Sequence, residues 1–265
     1  AGEARGPGLA AIDVNEYGGK KDGERQAMNR RLFMQLLVFE AGDDPVKHSR
    51  QLAERLLEHR VPAVVYDDIN DPRGIALLTW SEDPAHFVTR VRHVLVDEAF
   101  STLRLRPELT MLGRTYATGH EPQLAWSLLE RPIENAIHEA HDWAVWYPLR
   151  RTGAFSRLDP HEQGMILREH AQIGMAYGQT DLAHDVRLAC HGIDRNDNDF
   201  VIGLLQGAAP PLARRAVDAQ DRPDLAIHRE NGPVLRRPRR ASRHPAARVS
   251  GQAGPEVNTR RPGCV

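Results

Sequence analysis

The residues with the clearest chemical potential lie in three consecutive pieces of the chain. They read WAVWYPLRR at 143–151, LDPHEQGMILREHAQIGMAYG at 158–178 and DVRLACHGIDRNDNDFVIGLL at 185–205. The middle piece has the pattern of an amphipathic helix and carries His170. A histidine on such a helix can be a metal ligand or can simply pack at a helix end, so the surrounding elements must decide its role.

These pieces are predicted to form a strand, a helix and a hairpin. Residues 143–149 are an apolar run of strand length, and the amphipathic helix spans 159–178. Strand-like runs at 185–191 and 200–205 flank the polar turn 192–199. The order in this half is therefore strand, helix, strand, strand.

The first half of the chain has the same order and continues it. Apolar runs of strand length alternate there with two amphipathic segments. The predicted strands are 31–40, 62–68, 75–80 and 109–117, and the predicted helices are 45–60 and 81–103. The order β-α-β-β-α-β is the ferredoxin-like unit. We therefore predict an α+β fold made by duplication of this unit, with a second copy that lacks its last helix and strand.

Composition divides the chain into five predicted parts. These are a disordered N-terminal extension at 1–27, the first ferredoxin-like half at 28–120, a connector at 121–142, the incomplete second half at 143–212 and a tail at 213–265. The two ends lack the apolar periodicity that a packed element needs.

The tail is rich in Arg and Pro, which predicts disorder. The codons that could encode the tail allow a further interpretation. Residues 214–239 can be back-translated so that a one-base shift reads VVQWMRKTDQTSRYIERMGPFFVGR. That peptide has the pattern of an amphipathic helix followed by a strand, which are the two elements missing from the second half. We therefore hypothesise that the tail is a frameshifted reading of the gene, and sequencing the coding DNA would test this.

Charge and hydropathy exclude several classes of partner. A net charge of −1 over 265 residues gives no electrostatic basis for binding nucleic acid or an anionic membrane. No apolar run approaches the ~20 residues that span a bilayer, and the N-terminus does not have the pattern of a signal peptide. Cys190 and Cys264 are too few for a disulfide framework or a zinc cluster. We expect a cytoplasmic protein.

Three motifs resemble the C-terminal domain of the chlorite dismutase family, which belongs to the dimeric α+β barrel superfamily. They are WYPLRR, LREHAQIGMAY and the G-I-D…DFVIGL hairpin, all within 143–205. The resemblance implies a haem b or coprohaem cofactor with its iron, and a small-molecule oxidant, either peroxide or chlorite. It also implies a homo-oligomer, a pentamer or hexamer, where the C-terminal half is intact.

The resemblance implies roles for four residues of this chain. His170 falls where the family has its proximal haem ligand. Tyr147 matches a tyrosine before proline that, in the coprohaem decarboxylases, carries the oxidising radical near a propionate. Arg150 and Arg151 fall where family members have basic residues near the propionates, and an arginine–carboxylate pair suits that task. The alternatives are an ordinary strand aromatic for Tyr147 and a solvated strand end for the two arginines.

The residue on the distal side of the haem is left open among three positions. In the family it follows the ligand by thirteen residues, as an arginine in chlorite dismutases and a glutamine in many decarboxylases, and that count gives Ala183. A segment longer by about two residues would instead give Asp185, and strand alternation places Arg187 on the same face. Of these, Arg187 could stabilise an anionic oxidant.

The resemblance thus predicts a haem-dependent oxidoreductase that uses peroxide, with coprohaem decarboxylase-like or peroxidase-like chemistry. Tyr147 favours this interpretation, and Phe155 and Ser156 stand where chlorite dismutases have tryptophans. The alternatives are a chlorite dismutase, which converts chlorite to chloride and oxygen, and a non-catalytic haem or tetrapyrrole carrier.

Three other polar groups receive structural interpretations. The run DRNDND at 194–199 lacks the spacing of a calcium-binding EF-hand loop and is predicted to be a hairpin turn. Cys190 is predicted to be a small buried strand residue. His138 and His141 are predicted to lie on the surface.

Overall fold

The computed structural model describes residues 12–151, 153–207, 227–229 and 234–237. These residues form a mixed α+β structure with one large antiparallel sheet, so the predicted fold class is confirmed. The strands are β1 Glu16–Lys21, β2 Glu24–Met28, β3 Phe33–Glu40, β4 Ala63–Asp68, β5 Gly74–Ser81, β6 Arg104–Leu105, β7 Met111–Thr115, β8 Trp143–Arg151, β9 His184–Ala189, β10 Phe200–Gln206, β11 Ile227–Arg229 and β12 Val234–Arg236.

Five α-helices and four short helical turns accompany the strands in these ranges. The α-helices are α1 Pro45–Glu58, α2 Arg92–Leu95, α3 Arg131–Ile137, α4 Gly153–Arg157 and α5 Pro160–Gln179. Helix α2 continues a π-helical turn at Phe87–Val91, and α3 continues one at Trp126–Glu130. The 3-10 turns are Glu98–Phe100 and Pro107–Leu109. Among the described residues, no helix is both long and apolar enough to cross a membrane.

Eight strands close into a barrel. Their order is β10-β9-β7-β3-β5-β4-β12-β8, and β8 pairs again with β10 to complete the ring. The small strand β6 pairs with β3, and β11 extends the pairing of β8. All pairings are antiparallel, so side chains alternate between the inside and the outside of the barrel.

The alternation along β3 shows how the sequence fills both sides of the barrel. Met34, Leu36 and Val38 belong to the central cluster, which also takes Trp146 from the opposite half. The intervening Leu37 and Phe39 point outward and pack with the apolar faces of α1 and α2. The strand within the mostly apolar run 31–40 is therefore covered on both faces, as the run predicted.

The two halves contribute equivalent strand orders to the barrel. The first half gives β7-β3-β5-β4 and the second gives β12-β8-β10-β9. The duplication of a ferredoxin-like unit stays a prediction. The prediction that the second half lacks its last strand needs correction, because β12 occupies the equivalent place between β8 and β4. Its Leu235 side chain is completely buried in the central cluster. A three-residue strand is too short to show a pattern in an Arg- and Pro-rich tail, and the segment 208–226, where the missing helix was expected, lies outside the described residues.

The N-terminal extension was predicted to be disordered, but β1 and β2 form a hairpin in its second part. Met28 packs against the central cluster, and polar contacts supply the other attachments of the hairpin to the barrel. Glu16 forms ion pairs with Arg31 and Arg114 and accepts a hydrogen bond from the Ala117 amide. Sequence analysis based on apolar periodicity could not detect such a hairpin. Residues 1–11 lie outside the described part of the chain.

The second predicted helix is shorter than expected. It was predicted to run to residue 103, but α2 ends at Leu95. Asp97 is extended and its carboxylate accepts a hydrogen bond from the Ala99 amide, which begins the 3-10 turn instead. A side-chain cap of this kind competes with continuation of the helix.

Candidate functional site

One row of side chains on the outer face of the second half contains two of the predicted site residues. Tyr147 on β8 pairs with Ile202 on β10, and Ile202 pairs with Arg187 on β9. Because directly paired residues point to the same face of a sheet, Tyr147 and Arg187 flank Ile202 on one surface. Tyr147 and Arg187 are two strand spacings of about 4.8 Å apart, so their backbones are separated by about 10 Å.

Apolar side chains surround this row. Tyr147, Ile202 and Leu204 form a buried cluster, against which Val145 and Leu149 pack. Helix α4 directly follows β8 and carries the buried Phe155, and α5 contacts β9. The surface is therefore largely apolar, with the phenol of Tyr147 inside it and the guanidinium of Arg187 at its β9 border.

Helix α5 begins and ends at clear signals. The Asp159 carboxylate accepts hydrogen bonds from the amides of His161 and Glu162, and Pro160 occupies the first turn. These hydrogen bonds lower the pKa of Asp159. The helix ends at Gln179, and Asp181 follows with φ of 55°. His170 lies in the middle of α5, and since its side chain is outside the described part of the structure, its role as ligand stays a prediction.

The three candidates for the distal residue have different surroundings. Ala183 is buried just before β9 and donates its amide to the Tyr177 carbonyl. Asp185 lies on the same face as Arg187, and its carboxylate is 3.2 Å from the Arg187 Nε. The same carboxylate also forms an ion pair with Arg131 of α3. Arg187 is therefore held by a carboxylate that a second arginine shares, and it is the candidate directly in line with Tyr147.

The two arginines at the end of β8 do not join this row in the same way. Arg150 is three residues beyond Tyr147 on β8, so its side chain starts from the opposite face of the sheet. Its Nε lies 3.2 Å from the Asn198 Oδ1. Its other nitrogen donates to the Asn196 carbonyl, so the guanidinium contacts the β9–β10 turn. Arg151 is the last residue of β8 and pairs with Ile227 through the backbone, and its side chain is outside the described part. A propionate-binding role for either stays a prediction.

The acidic turn between β9 and β10 forms its own hydrogen-bond network. The Asp194 carboxylate accepts from the Leu112 amide at 2.8 Å and from the Asn198 side chain at 2.7 Å. The Asn196 side-chain amide donates to the Thr110 carbonyl at 2.9 Å. These contacts fix the turn against β7, as expected for the predicted hairpin turn.

A second cluster of polar side chains was missed in the sequence. His141, Asp181 and His184 place one potential ligand atom each within 4.8 Å of one another. His141 was predicted to lie on the surface but is 5% exposed, because its ring stacks on that of His184 with centroids 4.8 Å apart. Burial lowers the pKa of His141, and the hydrogen bond from His184 lowers the pKa of Asp181. The two histidines are far apart in the chain, so only the barrel brings them together.

The barrel is similar to solved structures of chlorite dismutases. The crystal structure of a protein assigned as a chlorite dismutase, TA0507, matches with a TM-score of 0.59 and 13% sequence identity, covering 78% of this chain and 94% of that one. The chlorite dismutase of Candidatus Nitrospira defluvii in complex with imidazole matches with a TM-score of 0.59 and 11% identity, covering 78% and 91%. No family model and no curated protein matches the sequence. The fold is that of the chlorite dismutases, which confirms at the level of the fold the resemblance seen in the sequence.

Proposed function

We propose that this chain is a haem-dependent oxidoreductase of the chlorite dismutase family that uses peroxide, with coprohaem decarboxylase-like or peroxidase-like activity. The observation that carries the proposal is the shared outer face of β8, β10 and β9. There a buried tyrosine and an arginine flank an apolar surface. The similarity to chlorite dismutase structures supports the same proposal.

The residues of this face fit a tetrapyrrole. Val145, Leu149 and Leu204 offer apolar contacts of the kind that a macrocycle needs. His170 on α5 would be the iron ligand, and Arg151 is the candidate to pair with a propionate of haem b or coprohaem. The bound iron would supply the redox chemistry with the oxidant. The largely apolar part of this wall would exclude water from such a group.

Tyr147 and Arg187 would then have separate tasks. Tyr147 is 7% exposed, so its phenol is screened from solvent and could pass an electron and a proton to or from a neighbouring group. Arg187 carries a positive charge toward the same face and would bind an anionic oxidant or carboxylate. Decarboxylation balances when peroxide takes two electrons: a propionic acid and hydrogen peroxide give a vinyl group, carbon dioxide and two waters.

Chlorite breakdown is the second candidate, and Arg187 is the observation that favours it. An arginine on the distal side is what the resemblance implies for chlorite dismutases. The reaction converts chlorite to chloride and oxygen without any other reductant, so it needs no tyrosine. Tyr147 therefore distinguishes the two candidates.

Peroxide and chlorite assays with matched variants test the proposal. The coprohaem-loaded chain is expected to form vinyl products with hydrogen peroxide, and Tyr147→Phe is expected to lose at least about 100-fold in rate, within the range for removal of a catalytic group. Tyr17→Phe is the control, because Tyr17 lies on the distant hairpin and contacts Asp13. Arg187→Gln is expected to reduce turnover of either oxidant, and Arg30→Gln, a surface ion-pair residue, is expected to have no effect.

The outcomes separate the three functions. Peroxide turnover that depends on Tyr147 supports the proposal. Oxygen evolution from chlorite that depends on Arg187 and survives Tyr147→Phe would replace it with the second candidate. A loaded chain that turns over neither oxidant would be a haem or tetrapyrrole carrier.

A further inference from the structure

Three segments meet at the end of the barrel where α5 finishes. His141 precedes β8, Asp181 follows α5, and His184 is the first residue of β9. The His184 Nε2 lies 2.6 Å from the Asp181 Oδ1. The His141 and His184 rings are stacked, and the ligand atoms of all three residues lie within 4.8 Å of one another.

The hydrogen bond of His141 leaves the correct nitrogen for a metal. Its Nδ1 is 2.9 Å from the Asn135 carbonyl oxygen, which can only accept, so this nitrogen carries the proton. The Nε2 of a neutral ring then has a lone pair. A backbone carbonyl that orients a histidine in this way is the usual outer partner of a metal-binding imidazole.

We propose that His141, His184 and Asp181 form a binding site for a divalent first-row transition metal such as Zn²⁺, separate from the haem site. Two imidazoles and one carboxylate are typical ligands for Zn²⁺. Ligand atoms on tetrahedral zinc stand about 3.3 Å apart for bonds of about 2.0–2.1 Å. Small side-chain rotations therefore bring this set to binding distance, and the metal replaces the proton shared by His184 and Asp181.

The fourth ligand would come from solvent. The His138 ring lies 4.5 Å from the His141 ring, centroid to centroid, and is exposed. Its Nδ1 accepts a hydrogen bond from the Ala140 amide, so the Nε2 of the neutral ring carries the proton and has no lone pair for a metal. A water would therefore complete four-fold coordination.

A metal at this position would join α5 to the barrel. Asp181 lies just beyond the helix, whereas His141 lies just before β8 and His184 begins β9, two barrel strands that β10 separates. Metal binding to the folded chain alone raises its stability by mass action. The site would thus fix the C-terminal end of α5 without depending on haem.

Cobalt titration of the full, chelator-treated, haem-free chain tests the site. We expect one equivalent of Co²⁺ to give visible d–d absorbance, and Zn²⁺ to displace it and raise the melting temperature. His184→Ala is expected to weaken binding by more than about 100-fold, since loss of an outer partner alone costs about 10–100-fold. The matched control is His191→Ala, because His191 is exposed and also pairs with an aspartate, at 3.2 Å from Asp199.

A milder variant keeps the test valid if His184→Ala folds poorly. Asp181→Asn suits the positive φ of this position, which Asn tolerates as well as Asp, and should still weaken Co²⁺ binding about tenfold or more. No saturable Co²⁺ absorbance in the folded wild-type chain would overturn the proposal. Equal binding by wild type and both variants would also overturn it, because the metal would then be held elsewhere. Neither result depends on whether the chain binds haem.

Discussion

Glu121 shows how much of the first half depends on a single carboxylate. The side chain is buried and accepts hydrogen bonds from the amides of Thr118 and Gly119 at 2.7 and 3.0 Å, and from the Thr118 hydroxyl at 2.8 Å. Burial raises the pKa of Glu121, but these hydrogen bonds outweigh it and hold the pKa below its ordinary value of 4.5. The ionised Glu121 carboxylate therefore orders the loop 118–121, which contacts the N-terminal hairpin through the hydrogen bond from the Gly19 amide to the Glu121 carbonyl.

The pH dependence of stability follows from the sign of this shift. A carboxyl group with a lowered folded-state pKa stabilises the fold above its unfolded pKa, and this contribution is lost as the pH falls through the folded value. Glu121→Gln should reduce the free energy of unfolding by about 1–3 kcal/mol at pH 7, because one of the two carboxylate oxygens, and with it the acceptor of two hydrogen bonds, is lost. Urea denaturation at several pH values should show the difference from wild type shrinking below about pH 4.5. The exposed Glu139→Gln is the control, and a difference that persists unchanged at pH 3 would contradict the account.

At the scale of elements, the close contact between β8 and β10 depends on a glycine. Gly203 pairs with Trp146, and a Cβ at Gly203 would lie 2.7–2.9 Å from three atoms of the Trp146 ring. The indole is completely buried in the barrel and has no open space to enter. The glycine in DFVIGL is therefore required by packing.

Gly203→Ala is expected to destabilise the chain by about 1–3 kcal/mol, the usual cost of overpacking a filled core. Gly174→Ala is the matched control, because a Cβ there meets nothing within 4 Å and alanine favours a helix. Thermal or urea unfolding of both variants measures the difference. Equal stability of Gly203→Ala and wild type would show that the barrel relaxes around the tryptophan.

The sequence predicted the elements best where apolar residues repeat. Strand β3 and helix α1 were predicted within two residues, because both bury one or two continuous apolar faces. The N-terminal hairpin was missed since polar side chains such as Glu16 and Gln26 hold it, and their partners are distant in the chain. The candidate site likewise depends on contacts between residues that are distant in the chain. The positions of Tyr147 and Arg187 on one face depend on strand register, whereas the cluster around His141 depends on barrel closure.

At the scale of the whole molecule, the ring of strands is completed by a short piece of the tail. Leu235 of β12 pairs with Asp68 of β4 on one side and with Ala144 of β8 on the other. Arg237 continues from it, donates its amide to the Asp142 carbonyl, and contacts the carbonyls at the end of α3. The strand GPFFVG of the one-base-shifted peptide falls at this same place in the chain, beginning at Gly232. The frameshift hypothesis therefore concerns the strand that closes the barrel and the helix expected before it.

A haemin and coprohaem titration followed by absorbance tests the central claim most directly. The account predicts a saturable Soret shift that His170→Ala abolishes and that His161→Ala, a histidine in the first turn of the same helix, retains. If the tail is frameshifted, the shift will be weak in this chain and will become strong when the shifted frame is restored. No Soret shift in either chain, or a shift that His170→Ala retains, would contradict the haem site on this face of the barrel.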